Sequence, residues 1–384
     1  MKITSTQREP EDATLSLRRR TLFAAAPLWA AGVTAAVPLA ACAATSPAGT
    51  ARQTHNRAPQ ARVTTVANFP PRYFLESMVV RSDESFLITV LNTRELWYVP
   101  PPAAGATVEP VRLHTLGQPL LGIEEVERDV FCVISANAYS SQSEAKLHRL
   151  DLRGWQPGSP VQPTLAFGFP PATRAPNGMC LLAPGVLLVA DSFAGLIWRL
   201  DLQGRSPAAT VWLEHGSMKH FPGKMKPEQP GVNGVRYAAR SHHVYYTATA
   251  KKLLMRVPVD PATLRPAGEP EVVVAGRMGD DFILDEDANA IYLTTHRQNT
   301  IDLVSMDPGD NSGFTQIVAG DPFDLNVVGP SSGAWSRVQG AAGRVAYFIT
   351  DGGTASPLPS GFEPAKLLRV ELTPWSGPFP GMGS

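Results

Sequence analysis

Residues 177–201 read Asn-Gly-Met-Cys-Leu-Leu-Ala-Pro-Gly-Val-Leu-Leu-Val-Ala-Asp-Ser-Phe-Ala-Gly-Leu-Ile-Trp-Arg-Leu-Asp. An apolar strand, a turn, a strand ending in Asp191 and a third strand ending in Arg199-Leu200-Asp201 follow one another with no helical periodicity. The plan recurs from Asn233-Gly234-Val235 through Tyr245-Tyr246-Thr247 to Leu254-Met255-Arg256-Val257-Pro258. It recurs again from Asp280 through Tyr292-Leu293-Thr294 to Thr300-Ile301-Asp302-Leu303-Val304. Further units open near Glu76, near Glu124 and near Ser331-Ser332-Gly333. Six units of roughly fifty residues predict an all-β fold, a six-bladed β-propeller with four-stranded blades around a central channel. A single blade cannot bury both its faces, so the ring is one domain.

The composition agrees. The chain has 384 residues, with 34 Lys+Arg against 34 Asp+Glu, which removes the electrostatic case for nucleic acid. It is 43% hydrophobic and 18% charged, enough to bury a core. Its 32 Gly and 36 Pro suit a fold of many turns, and 3 Cys exclude a disulfide scaffold. Cys132 and Cys180 sit in apolar runs and read as buried free thiols, although a disulfide between them is open.

The first residues read as an address. Arg18-Arg19-Arg20 precedes an uncharged stretch, Thr21 to Thr50, broken by Pro27 and Pro38. That layout suits an export signal better than a membrane-spanning helix. Arg19-Arg20-Thr21-Leu22-Phe23 resembles a twin-arginine motif, and Leu39-Ala40-Ala41-Cys42 resembles a bacterial lipobox. The expected organisation is an export signal with lipobox over 1–42, a flexible tether over 43–68, the propeller over 69–375 and a tail over 376–384. The expected location is the periplasm or cell envelope, with membrane contact only through a lipid on Cys42. A propeller needs no partner to close its core, so a monomer is expected.

Residues that open the innermost strand of each blade converge at one mouth of the channel. Here they are Glu76, Asn177, Asn233 and Asp280. Two carboxylates and two amides offer only hard oxygen donors, which suit Ca²⁺ or Mg²⁺, with Mn²⁺ or Zn²⁺ as substitutes and Ca²⁺ the leading expectation. Each residue also has a plainer reading, since Asn-Gly is a strong turn dipeptide. Glu124, Asn137, His215, His220 and His296 are weaker candidates for the pocket wall. Glu124 is expected to open the second blade. Residues 214–229, with His215 and His220, form a polar insertion that reads either as an exposed loop or as a lid over the mouth. There is no Gly-x-Ser-x-Gly elbow, phosphate loop, dinucleotide fingerprint or His-Glu-x-x-His motif.

The chain resembles the senescence-marker protein (regucalcin), gluconolactonase and luciferin-regenerating-enzyme family. The stretches that carry the resemblance are Leu75-Glu76-Ser77-Met78, Ala175-Pro176-Asn177-Gly178-Met179, Gly231-Val232-Asn233-Gly234-Val235 and Asp280-Asp281-Phe282. Val189-Ala190-Asp191-Ser192 adds to them. The resemblance implies a divalent metal held by Glu76, Asn177, Asn233 and Asp280. Two features depart from the family pattern. Gly279-Asp280-Asp281 stands where Pro-Asp-Gly is usual, leaving Asp281 as a rival ligand, and Glu76-Ser77-Met78 stands where Glu-Gly-Pro is common. These details look closer to a divergent branch that includes fungal hetero-Diels–Alderases.

The first functional expectation is a metal-dependent lactonase or esterase acting on a small molecule in the channel, with Asp280 as general base. The alternatives are a metal-independent cyclase or isomerase on a hydrophobic intermediate, and a non-enzymatic ligand-binding propeller.

Overall fold

Runs such as Phe86–Val90, Val130–Ser135, Val186–Asp191 and Ala290–Thr295 are buried at every position. A strand with no exposed face must be covered on both sides, and this is what stacking one blade on the next achieves. The computed structural model describes residues 60–375, apart from 103–104, 141–143, 205–206, 224–227, 309–314 and 324. They form six four-stranded antiparallel sheets, the six-bladed propeller expected from the repeat. Among the described residues there is no α-helix, and two single 3₁₀ turns, Gly216–Met218 and Thr249–Lys251, are the helical elements. The export signal, Cys42 and residues 43–59 lie outside the described residues.

Five blades are built from consecutive strands, with the innermost first. The sixth is closed differently. Its innermost strand is Pro330–Trp335, and its outermost is the first strand of the chain, Arg62–Pro71. Arg62–Pro71 pairs antiparallel with the last strand, Pro364–Glu371, from Arg62 opposite Glu371 to Pro71 opposite Pro364. Residues 62–68, expected in the tether, are therefore part of the ring. Their burial explains why: Val66 and Ala67 pack with Leu75, Ile88, Tyr347 and Leu367 in the core shared by the sixth and first blades.

The innermost strands begin at Leu75, Leu120, Pro176, Val232, Phe282 and Pro330. Glu124 thus does not open the second blade; it lies four residues into Leu120–Glu127. The repeat placed it wrongly because Leu120 and Leu121 are apolar where the other blades carry a polar group. In five of the six blades the first ladder step is irregular, as between Leu75 and Ser77, Pro176 and Met179, and Val232 and Val235. Such bulges re-aim a side chain.

Asn177-Gly178 and Asn233-Gly234 are not turns. Both lie inside innermost strands, Pro176–Ala183 and Val232–Ala238. The glycines are there because blades meet closely. A Cβ on Gly178 would fall 2.4 Å from the carbonyl oxygen of Asn233, and one on Gly122 would fall 2.3 Å from that of Asn177. The recurrent strand-ending Thr has an equally local cause. Thr89, Thr247 and Thr294 each donate a side-chain hydrogen bond to the next blade, to the carbonyls of Leu121 (2.7 Å), Asp280 (2.7 Å) and Ser331 (3.2 Å). Cys132 and Cys180 are buried free thiols, and burial pushes the Cys132 thiol up to about 12.

Candidate metal and substrate site

Glu76, Asn177 and Asn233, at the bulged openings of three innermost strands, come together with Asp280, two residues before the innermost strand Phe282–Asp285 of a fourth blade. Asn177 stands beside Glu76, whose carboxyl it pulls down, and donates through Nδ2 to Oδ1 of Asn233 at 2.6 Å. Asn233 Nδ2 donates in turn to Asp280 Oδ1 and to Thr249 Oγ1 at 3.2 Å. One hydrogen-bonded row therefore crosses the channel. Asn177 and Asn233 are buried, whereas Glu76 and Asp280 are half-buried.

Burial raises the Glu76 carboxyl above the ordinary range, and the neighbouring charge of Asp280 raises it further. Burial also raises Asp280, against the pull of His296. Two carboxylates held this close in a low dielectric call for a positive partner. His296 is one such partner. It is buried, its Nε2 lies 3.0 Å from Asp351 Oδ2, and its ring packs 5.5 Å from that of Phe74. Burial alone would lower it, but Asp351, then Asp280 and Glu76, raise it to about 9.

The donor set also fits a divalent cation. On the axis below the row is a void of about 20 Å³, lined by Glu76, Asn177, Asn233, Asp280 and Asp281 among others. That is room for roughly one water or ion. Asp281 Oδ1 is buried there with no hydrogen-bond partner. To hold a cation, Asn177 and Asn233 would turn their amide oxygens inward. Among the described residues no three His, Cys, Asp or Glu side chains form a metal-holding group, so the site depends on the two amides.

The two adjacent acids separate cleanly. Asp280 faces the upper cavity with the row. Asp281 faces the other way, its Oδ2 accepting from Arg236 and from Ser332 Oγ at 2.7 Å. Asp280 is therefore the better ligand of the pair.

Above the row lies a cavity of about 290 Å³ whose lining includes all four residues, with His296 and Asn137. Its walls come from Phe74, Leu91, Leu121, Tyr139, Phe193 and Pro230. The insertion over 214–229 reaches the cavity through Glu228 and Gln229. His220 stands one layer back, its ring 5.1 Å from that of Phe193 and its Nε2 3.8 Å from Glu228. His215 is not in the wall. It caps the 3₁₀ turn at Gly216–Met218, accepting from the Ser217 backbone N–H.

Sequence reasoning passed over two anchors. Asp191 is fully buried and accepts from the backbone N–H of Arg174 (3.0 Å), Ala175 (2.8 Å) and Ala194 (3.1 Å) and from Trp198 Nε1 (3.0 Å). It fixes the approach to Asn177. Asp351 accepts from Gly353 and Ala355 N–H, both at 2.7 Å, and so fixes His296. A strand-ending Asp flanked by Gly or Ser is the signal that could have revealed both.

Glu124 lies at the opposite mouth, in a cavity of about 370 Å³ with Glu125, Arg236 and Arg337. Burial pushes its carboxyl up to about 7, opposed by Arg236, by a hydrogen bond from the Leu181 backbone and by Arg337, with Asp281 adding to the rise. A folded-state value above the unfolded one means stability that is complete below about 4.5 and lost as pH rises through about 7. Glu124→Gln is expected to remove that slope. At pH 8 the variant should be more stable than wild type by on the order of 1 kcal/mol. Urea unfolding at pH 5 and pH 8 measures this, and an unchanged slope would assign it to other groups.

No protein-family model matches the sequence, and no curated protein matches it either. Solved structures do. A calcium-binding protein, regucalcin, from Agrobacterium tumefaciens superposes with a TM-score of 0.54 at 15% identity, over 80% of this chain and 96% of its own. A gluconolactonase from Xanthomonas campestris gives 0.54 at 12% identity, over 84% and 93%. The likeness is one of fold. The PQQ-bound form of an aldose sugar dehydrogenase from Streptomyces coelicolor matches as well, at 0.54 and 13%, over 82% and 100%. Propellers carry different chemistries on one scaffold, so the site must decide between them.

Proposed function

We propose that the protein is a divalent-metal-dependent hydrolase of a small lactone or ester, acting in the cavity above Glu76, Asn177, Asn233 and Asp280. The observation that carries this reading is the convergence of two acids and two amides from four blades at the floor of that cavity. The likeness in fold to a regucalcin and a gluconolactonase supports it. Glu76, Asn177, Asn233 and Asp280 would hold the cation, a hard one by their oxygen donors, with Ca²⁺ the first to test. A bound cation would supply Lewis-acid polarisation of the carbonyl. Asp280 takes a proton from the attacking water as it adds to the carbonyl carbon. The acyl–oxygen bond then breaks, and the departing alkoxide takes up that proton to give a hydroxy acid or, from an ester, an acid and an alcohol. His296, held by Asp351, sets the charge facing Asp280.

The test is calorimetric titration of Ca²⁺ into the chelator-stripped protein lacking residues 1–42, followed by a lactone and ester screen with and without chelator. Binding together with chelator-sensitive turnover supports the reading. Turnover that survives the chelator would favour a metal-independent reaction in the same cavity. Binding without turnover of any ester would favour a ligand-binding role.

We further propose an exported protein, lipid-anchored through Cys42 and otherwise monomeric. Metabolic labelling with a fatty acid should mark the wild type and not Cys42→Ser, and equal labelling of both would sink the anchor.

A further inference from the structure

We infer that the substrate of this site is an uncharged lactone or ester bearing an apolar alkyl or aryl group, and not a polyhydroxylated or anionic one. The inference rests on the hydrolase reading above and adds the substrate class.

The cavity combines a polar floor with a mainly apolar sleeve, interrupted by Asn92, Asn137, Ser192, Glu228 and Gln229. Its floor carries Glu76, Asn177, Asn233, Asp280 and His296, while Phe74, Leu91, Leu121, Tyr139, Phe193 and Pro230 form the sleeve above. A ligand that fills it must place its carbonyl at the floor and an apolar body along the sleeve. At about 290 Å³ the cavity lies at the small end of the range for small-molecule pockets.

Several wall groups that could bind sugar hydroxyls are already engaged within the protein. Asn92 accepts from the Phe74 backbone N–H at 3.0 Å and donates to the Arg72 carbonyl at 2.6 Å. Thr249 donates to the Gly279 carbonyl at 2.8 Å, and Glu228 accepts from the Gly223 N–H at 2.8 Å. Ser192 Oγ is buried in the lining without a hydrogen-bond partner. Stripping several hydroxyls of water without replacing their hydrogen bonds is unfavourable.

Charge discriminates in the same direction. No described lining residue is Lys or Arg, and Glu76, Glu228 and Asp280 all face the cavity. A substrate carboxylate or phosphate lying along the sleeve, clear of a cation at the floor, would meet Glu228 and no described Lys or Arg, and His296 is already paired with Asp351.

The experiment compares kcat/KM of the Ca²⁺-loaded propeller on γ-butyrolactone, its butyl-substituted homologue γ-octalactone, glucono-δ-lactone and a γ-lactone ending in a carboxylate. Each buried methylene contributes about fourfold, so γ-octalactone, with four more carbons, should exceed γ-butyrolactone by roughly 250-fold. It should exceed the polyhydroxylated and carboxylated lactones by at least as much. Phe193→Ala and Leu121→Asn should each reduce the γ-octalactone value about tenfold, mainly through KM. Faster turnover of glucono-δ-lactone or the carboxylated lactone, or an alkyl preference under threefold, would overturn the substrate class and leave the hydrolase reading standing. If no ester or lactone is turned over, the hydrolase reading fails, and calorimetry with the matching unreactive lactams decides the ligand class alone. Binding of the butyl lactam but not the polyhydroxylated one supports it, and the reverse or no binding overturns it.

Discussion

Asp280→Ala is expected to abolish Ca²⁺ binding and to lower lactone turnover by at least about 1,000-fold, the effect of losing roughly 4 kcal/mol of transition-state stabilisation. Asp280 is one of two carboxylates in the row and is also the group placed to take the proton from water. The alanine removes both roles at once. Its folded state should survive. Asp280 is half-buried and its charge opposes Glu76, so removal relieves repulsion while losing one hydrogen bond from Asn233. These effects offset, and the metal-free variant should unfold within about 1 kcal/mol of wild type. Saturating Ca²⁺ should raise the melting temperature of wild type and leave that of the variant unmoved, because a ligand stabilises only the state that binds it. Thermal unfolding with and without Ca²⁺ reads both numbers. A variant that still gains stability from Ca²⁺ would place the cation elsewhere, and one that still hydrolyses lactones at the wild-type rate would remove Asp280 from the chemistry.

Gly178→Ala is expected to be a strongly damaging single-methyl change in the ring. A Cβ there would meet the Asn233 carbonyl oxygen at 2.4 Å and the Gly234 Cα at 3.0 Å, both backbone atoms of the next blade. Neither can swing aside as a side chain would. The two innermost strands must separate, and overpacking of this kind costs about 3 kcal/mol. The same shift pulls Asn177 away from Asn233, so the variant should lose metal affinity as well as stability. Gly168→Ala is the control, since nothing lies within 4 Å of its added methyl group. Chemical denaturation should show a fall in midpoint for the first and little change for the second. Equal midpoints would mean that the blades are not locked where the structure places them.

These two residues show what the sequence could and could not reveal. The blade repeat was legible because each blade repeats a strand, a turn and a Thr- or Asp-ended strand. The four floor residues were legible because they stand at the same place in that repeat. The glycine beside each Asn was visible, but its cause was not. Asn-Gly reads locally as a turn, and what makes glycine necessary is the next blade, about fifty residues away. Glu124 was misplaced for a related reason, since the second blade has Leu121 where a polar group was sought. Asp191 and Asp351 were hidden because their importance lies in backbone donors that gather only after folding. His215 and His220 looked alike in sequence, yet one caps a turn and the other braces Phe193.

The pairing of the first strand with the last has a consequence for when the molecule becomes complete. Thr64 Oγ1 donates to the carbonyl of Arg369, a contact spanning 305 residues. A nascent chain that has not yet released its final strand is a ring with a missing tooth, however well its earlier blades have stacked. Closure is therefore a post-translational event, and a slow one for so distant a contact. A transport route that threads an unfolded chain would have to keep the two ends apart until passage is finished. A route that accepts finished cargo lets them meet first, and the paired arginines at Arg19-Arg20 resemble the ticket for that second route.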